Sequence, residues 1–123
     1  MAANPVIRAP EFTLETEKKE LETTVRAAGR ITLVPSARLE NALRDLIPEG
    51  KRIVLDLSNV DYIDSAGLGA LVSVYMHARR TNCALEVANP SQRIRDLLNR
   101  SGLASVFEAR SFEMLWDTSH NGI

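Results

Sequence analysis

Residues 52–80 read RIVLDLSNVDYIDSAGLGALVSVYMHARR. The stretch opens on a short apolar run, Ile53 to Ser58, in which Ile53, Leu55 and Leu57 alternate with Val54, Asp56 and Ser58. Period-two alternation is the mark of a strand with one face better covered than the other. A strand sandwiched between two helical layers would be apolar on both faces, so helices are expected mainly on one side. A polar turn follows, and from Ser65 to Ala78 the chain carries no charge. Leu68, Leu71, Val72 and Tyr75 follow helical spacing there, and Arg79 closes the stripe at its polar end. The reading is strand, tight loop, helix, with a hydroxyl residue at the helix mouth.

Outward from this corner the same patterns recur. On the N-terminal side, Phe12, Leu14 and Thr16 alternate with Thr13, Glu15 and Glu17. Leu21, Thr23, Val25 and Ala27 then alternate with Glu22, Thr24, Arg26 and Ala28. These are two strands joined through a charged turn at Glu17 to Glu20, and Gly29 breaks the pattern. Pro35 and Ser36 introduce a helix with Leu39, Ala42, Leu43 and Leu46 on one face, stopped by Pro48 and Gly50. On the C-terminal side, Leu85 to Val87 forms a short strand. Pro90 and Ser91 start a helix with Ile94, Leu97 and Leu98 inward, capped at Gly102. Val106-Phe107 is a brief last strand, and Ser111 to Trp116 a short terminal helix.

The order β-β-α-β-α-β-α-β-α predicts an α/β domain with a mixed sheet of four to five strands. Residues 1–11, with Pro5 and Pro10 and no periodicity, are expected to be a flexible lead; residues 12–116 form the domain and 117–123 a flexible tail. A chain of 123 residues suffices for one core and is short for two.

Composition narrows the function. Fifteen basic and sixteen acidic residues leave a net charge of -1 without a long single-sign block, which argues against a nucleic-acid surface. No signal peptide pattern and no apolar run of membrane-spanning length is present, so a cytoplasmic location without membrane insertion is expected. The single Cys83 has no intramolecular partner and reads as a small buried hydrophobe.

Enzyme motifs are missing. A dinucleotide fingerprint starting at Gly67-x-Gly69 would need glycine at position 72, which is Val72. No phosphate-loop motif occurs. His77 and His120 lack metal-ligand spacing, and Ser65 is not in a G-x-S-x-G elbow. No catalysis, cofactor or metal is expected. The remaining candidate is Asp61-Tyr-Ile-Asp-Ser-Ala-Gly-Leu-Gly69. The first N–H groups of a helix lack intrahelical partners and, with the helix dipole, favour an anion. A serine at this mouth can cap the helix or carry a phosphoryl group. Asp64 or Ser65 is equally an ordinary N-cap, worth about 1 kcal/mol. Gly67 and Gly69 allow another protein to approach closely, or serve helix-on-sheet packing.

At these residues the chain resembles the STAS family, the sulfate-transporter and anti-sigma-factor-antagonist domains. The stretch IVLDLSNVDYIDSAGLGALV and the element order from Phe12 to Trp116 carry the resemblance. As a small free-standing domain it is most similar to bacterial anti-sigma factor antagonists. The resemblance implies binding to an anti-sigma factor that is also a serine kinase of the ATPase fold, with release of a sigma factor. It implies phosphorylation at Ser65, preceded by Asp64, and reversal by a serine phosphatase. Thr32 stands where the family often has Asp, and Ala66 where many members have Ser or Thr. The expected docking surface is Thr32, Asp64, Ser65, Ala66 and Gly67 together with Gly69, Ser73, Met76 and Arg80, which project away from the core stripe. The family also contains accessory subunits of transporters, lipid-trafficking complexes and signalling scaffolds. Such a role uses the same corner without phosphorylation, and Thr32 favours it slightly.

Overall fold

The computed structural model describes residues 6–9, 12–103 and 108–109. Six strands form one sheet in sequence order: β1 (Val6–Ala9), β2 (Phe12–Lys18), β3 (Glu22–Ile31), β4 (Arg52–Ile63), β5 (Leu85–Ala88) and β6 (Glu108–Ala109). Three helices connect the later ones: α1 (Leu33–Leu46), α2 (Ser65–Arg80) and α3 (Gln92–Arg100). The β1–β2 and β2–β3 pairs are antiparallel, and every pair from β3 to β6 is parallel. The fold is thus α/β with a mixed sheet.

Strand order explains where the helices sit. Parallel crossovers are right-handed. When each new strand adds on the same side of the last, right-handed crossovers all fall on one face of the sheet. One apolar cluster accordingly joins Leu39 and Leu43 of α1, Leu71 and Val74 of α2, and Ile94 and Leu98 of α3 to Phe12, Leu14, Val25, Ile53, Leu55 and Leu57 of the sheet. The opposite face carries charge. Arg26 donates to Glu17 at 2.9 Å, and Arg52 lies 3.4 Å from Glu86. The one-sided covering predicted from β4 is what the structure has.

The sheet is longer and wider than the sequence suggests. Val6–Ala9, expected to belong to a patternless lead, forms edge strand β1 against β2. Four residues are too few to display alternation, and proline can border an edge strand without costing a ladder bond. β3 continues through Gly29, which adopts φ +103°, a conformation open to glycine at little cost. β4 does not end at Ser58 but runs on to Ile63, leaving Asp64 as the whole link to α2. Its register against β3 slips twice, Arg26↔Asp56 to Ala28↔Asn59 and Gly29↔Val60 to Arg30↔Tyr62. Each slip inserts one extra residue in β4. Each such bulge resets which side chains face the core, so the buried residues become Leu57, Val60 and Ile63, three apart. A period-two search loses the strand at that point.

Other differences are local. Leu21, assigned to a buried strand face, sits in the hairpin turn and is 80% exposed. α1 begins at Leu33, earlier than Pro35, and ends through a 3-10 turn at Ile47–Glu49 with Gly50 left-handed at φ +77°. α3 starts at the expected place, where Ser91 Oγ accepts from Ile94 N at 3.3 Å. Gly102 closes it at φ +78°. The expected strand at Val106-Phe107, helix at Ser111 to Trp116 and tail from Asp117 lie outside the described residues. Cys83 is buried, as expected.

Candidate functional site

β3 and β4 end together. Ile31 pairs with Ile63, and Asp64 N donates to Ile31 O at 3.2 Å. Thr32 and Asp64 therefore leave the sheet side by side, and the first turns of α1 and α2 are neighbours at the carboxyl edge of two parallel strands. In open α/β sheets this edge is the usual place for a binding site.

The mouth of α2 separates the roles left open by the sequence. Asp64 is the N-cap, with extended backbone, and its Oδ1 accepts from Gly67 N at 2.9 Å. Leu68 N closes the first turn onto Asp64 O at 2.9 Å. Ser65 is thus the first helical residue and not the cap. It is exposed, and its hydroxyl has no partner among the described residues. The N–H groups of Ser65 and Ala66 are also without protein partners among the described residues, as the geometry of a helix start requires.

The two glycines divide in the same way. A Cβ on Gly67 would stand 2.5 Å from Ile31 O and 2.7 Å from Ile63 Cγ2. Neither neighbour is free to move, since Ile31 O holds Asp64 N and Ile63 is buried. Gly67 is therefore the contact point of α2 with the strand ends. Around Gly69 nothing lies within 4 Å of a built Cβ, and the residue is exposed one turn beyond Ser65. Only Gly69 presents bare backbone to another molecule.

Along α2, the buried stripe is Gly67, Ala70, Leu71, Val74, Tyr75 and Ala78. Leu68 and Val72, expected on this stripe, are partly buried at its edge, and Arg79, expected to close it, is exposed. Met76 is 44% exposed, and Arg80 is exposed, so both project outward as expected. Ser73 does not. It is half-buried against α1, where its Oγ donates to Glu40 Oε2 at 3.1 Å and accepts from Arg44 at 2.9 Å. The i,i+4 pair Glu40–Arg44, at 3.1 Å, clamps that hydroxyl. Its side chain is committed to the α1–α2 seam because the helices meet on the flank carrying Ser73.

Thr32 precedes α1 as a half-buried residue whose side chain makes no capping bond. Beside it Leu33 is 71% and Val34 61% exposed. Sequence reading passed over this pair. Two apolar residues at a helix start look like core until the helix phase is known, and the phase buries Ser36, Leu39, Leu43 and Leu46 instead. The corner therefore joins a free serine hydroxyl, an open glycine and exposed Leu33 and Val34, with exposed Met76 about three turns further along α2. Among the described residues no cluster of His, Cys, Asp and Glu could hold a metal. No helix there is long and apolar enough to cross a membrane.

Comparison with known proteins agrees with this architecture. The family model described as "Mlab, STAS domain" matches residues 14–114. The anti-sigma-B factor antagonist of Bacillus subtilis is 26% identical over 95 residues, 77% of this chain and 87% of that protein. The protein of the same name from Listeria monocytogenes is 30% identical over 101 residues, covering 79% and 89%. Among solved structures, an anti-sigma factor antagonist from Mycobacterium paratuberculosis superposes with a TM-score of 0.72 at 25% identity, covering 84% of this chain and 89% of that one. With the parallel β3–β4 corner, the Asp64-capped helix and a family match over most of its length, the chain belongs to the STAS domain family.

Proposed function

We propose that this protein is a cytoplasmic anti-sigma factor antagonist whose partner is an anti-sigma factor with serine kinase activity, and that Ser65 is the residue phosphorylated. The observation that carries the reading is the division of labour at the α2 mouth. Asp64 supplies the cap, so the exposed Ser65 hydroxyl has no structural task and is available to a kinase. The names of the relatives from Bacillus and Listeria support an anti-sigma factor as the partner.

The contact surface is the corner made by Thr32, Asp64, Ser65 and Ala66, extended over Gly69 and Met76. Gly67 belongs to it through the backbone alone. Leu33, Val34 and Met76 supply the apolar anchors, and burying one such side chain is worth about 1.5–3 kcal/mol. Phosphorylation adds about -1.5 to -2 charge. The N–H groups of Ser65 and Ala66 and the dipole of α2 tolerate this anion in the free protein. A bound partner would have to desolvate it next to the Asp64 carboxylate. A hundredfold loss of affinity requires about 2.8 kcal/mol, within the reach of one desolvated, repelled phosphate. A serine phosphatase resets the switch.

The test is incubation with the cognate anti-sigma kinase and ATP, followed by intact-mass measurement. Wild type gains one phosphoryl group and Ser65→Ala gains none. Equal modification of both would remove Ser65 from the mechanism. A second reading, an accessory STAS subunit that docks without phosphorylation, is favoured by the neutral Thr32 beside Asp64. It predicts no modification of either protein under the same conditions.

A further inference from the structure

A second concave site lies on the other flank of β4. A groove of about 290 Å³ is lined by Tyr62, Ile63, Arg93, Ile94, Leu97 and Arg100. Its accessible apolar surface is that of Leu97 and the Tyr62 ring, backed by the buried Ile63 and Ile94. Its rim is cationic. Arg93, Leu97 and Arg100 fall at i, i+4 and i+7, so α3 presents them on one face. Both arginines are exposed, and neither has an ion-pair or hydrogen-bond partner among the described residues. The nearby carboxylate of Asp96 is engaged by Gln92 Nε2 at 2.8 Å. At the opposite lip, Arg30 stacks over the Tyr62 ring at 4.4 Å and covers one of its faces. Two unpaired guanidiniums beside an apolar surface with an aromatic lip are complementary to a molecule that is apolar at one end and anionic at the other.

We propose that this groove binds a small organic anion, a carboxylate or phosphate carried on a flat apolar body. The apolar part rests on Leu97 and the Tyr62 ring, above the buried Ile63 and Ile94, and the anion meets Arg93 and Arg100. The inference is independent of the role of Ser65. It rests on α3 and the last residues of β4, while Ser65 opens α2 and does not line the groove.

The experiment is an amide ¹H–¹⁵N titration of the full chain with phenyl phosphate, phenylacetate, inorganic phosphate and benzyl alcohol. Phenyl phosphate or phenylacetate is expected to shift the Ile63, Ile94 and Leu97 amides saturably. For a probe of about ten heavy atoms the dissociation constant is on the order of 1 mM. The tighter of the two identifies the preferred anion. Benzyl alcohol and inorganic phosphate are expected to bind at least about fivefold more weakly, since each lacks one half of the match. Arg93→Gln and Arg100→Gln, both at exposed positions, each weaken the anionic probe about threefold or more. The proposal is overturned if neither anion shifts these amides, if benzyl alcohol binds as well, or if both arginine variants bind like wild type. It is also overturned if the arginine substitutions change the fluorescence of Trp116, the chain's single tryptophan, without any probe present, because the tail would then occupy the groove.

Discussion

Replacing Gly67 and Gly69 separately by alanine tests the architecture of the corner. In an exposed helical turn, glycine to alanine stabilises by about 1 kcal/mol through backbone entropy and helix propensity. Gly69→Ala should show this gain in full, because its new methyl meets nothing within 4 Å. Gly67→Ala places the same methyl 2.5 Å from Ile31 O, 2.7 Å from Ile63 Cγ2 and 3.0 Å from Ile31 Cγ2. The carbonyl is held by Asp64 N, so the relief must come from a shift of the whole α2 mouth. Overpacking of this kind costs about 1–3 kcal/mol, more than the propensity gain over most of that range. A net loss of about 1 kcal/mol lowers the melting temperature by roughly 4 °C in a domain of this size. Thermal unfolding followed by circular dichroism should therefore place Gly69→Ala above wild type and Gly67→Ala below it. If Gly67→Ala melted at or above wild type, or if the two variants moved together, the close approach of α2 to the strand ends would be wrong.

Further outcomes follow from individual contacts. Asp64→Ala should cost about 1 kcal/mol in urea unfolding, and Asp64→Asn much less, because the amide oxygen still accepts from Gly67 N. Ser73→Ala and Arg44→Met should each destabilise by about 1 kcal/mol. Since they share one bridge between α1 and α2, a double-mutant cycle should show coupling and not additivity. Burial pushes the Cys83 thiol up. It should therefore react with iodoacetamide at pH 8 only slowly in the folded protein and at the rate of a free thiol in denaturant. The Arg26 guanidinium holds the Glu17 carboxyl below its usual 4.5. That contribution is present above the unfolded value and fades as pH falls through the lowered folded value. Glu17→Gln should then lose less stability than wild type between about pH 5 and pH 3, by a small margin because the pair is exposed.

The sequence exposes those parts of the fold whose physics is local and periodic. Ile53, Leu55 and Leu57 reveal a strand covered on one side, and Leu39, Leu43 and Leu46 reveal α1. Pro90-Ser91 and Gly102 reveal both ends of α3. What stays hidden depends on register and phase. The two bulges shift β4 between Leu57, Val60 and Ile63, so no fixed period describes it. The buried stripe of α2 is rotated toward Gly67, Ala70 and Ala78, small residues that a search for large apolar side chains passes over. At the site, the Asp64-Ser65 pair is visible as a motif, but which residue caps and which stays free follows only from the helix phase. Ser73 likewise looks free until α1 is placed beside it. Leu33 and Val34 escape notice because their exposure depends on where α1 begins.

The proposed regulatory role stands on an accessible Ser65 hydroxyl inside the partner contact surface. The most direct measurement is the affinity of the cognate anti-sigma factor for wild type, Ser65→Ala and the Ser65-phosphorylated protein, taken by calorimetry in one buffer. The account predicts that Ser65→Ala binds within about threefold of wild type, about 0.7 kcal/mol, and that the phosphorylated protein binds at least about a hundredfold more weakly. Equal affinity of the phosphorylated and unmodified proteins would contradict it.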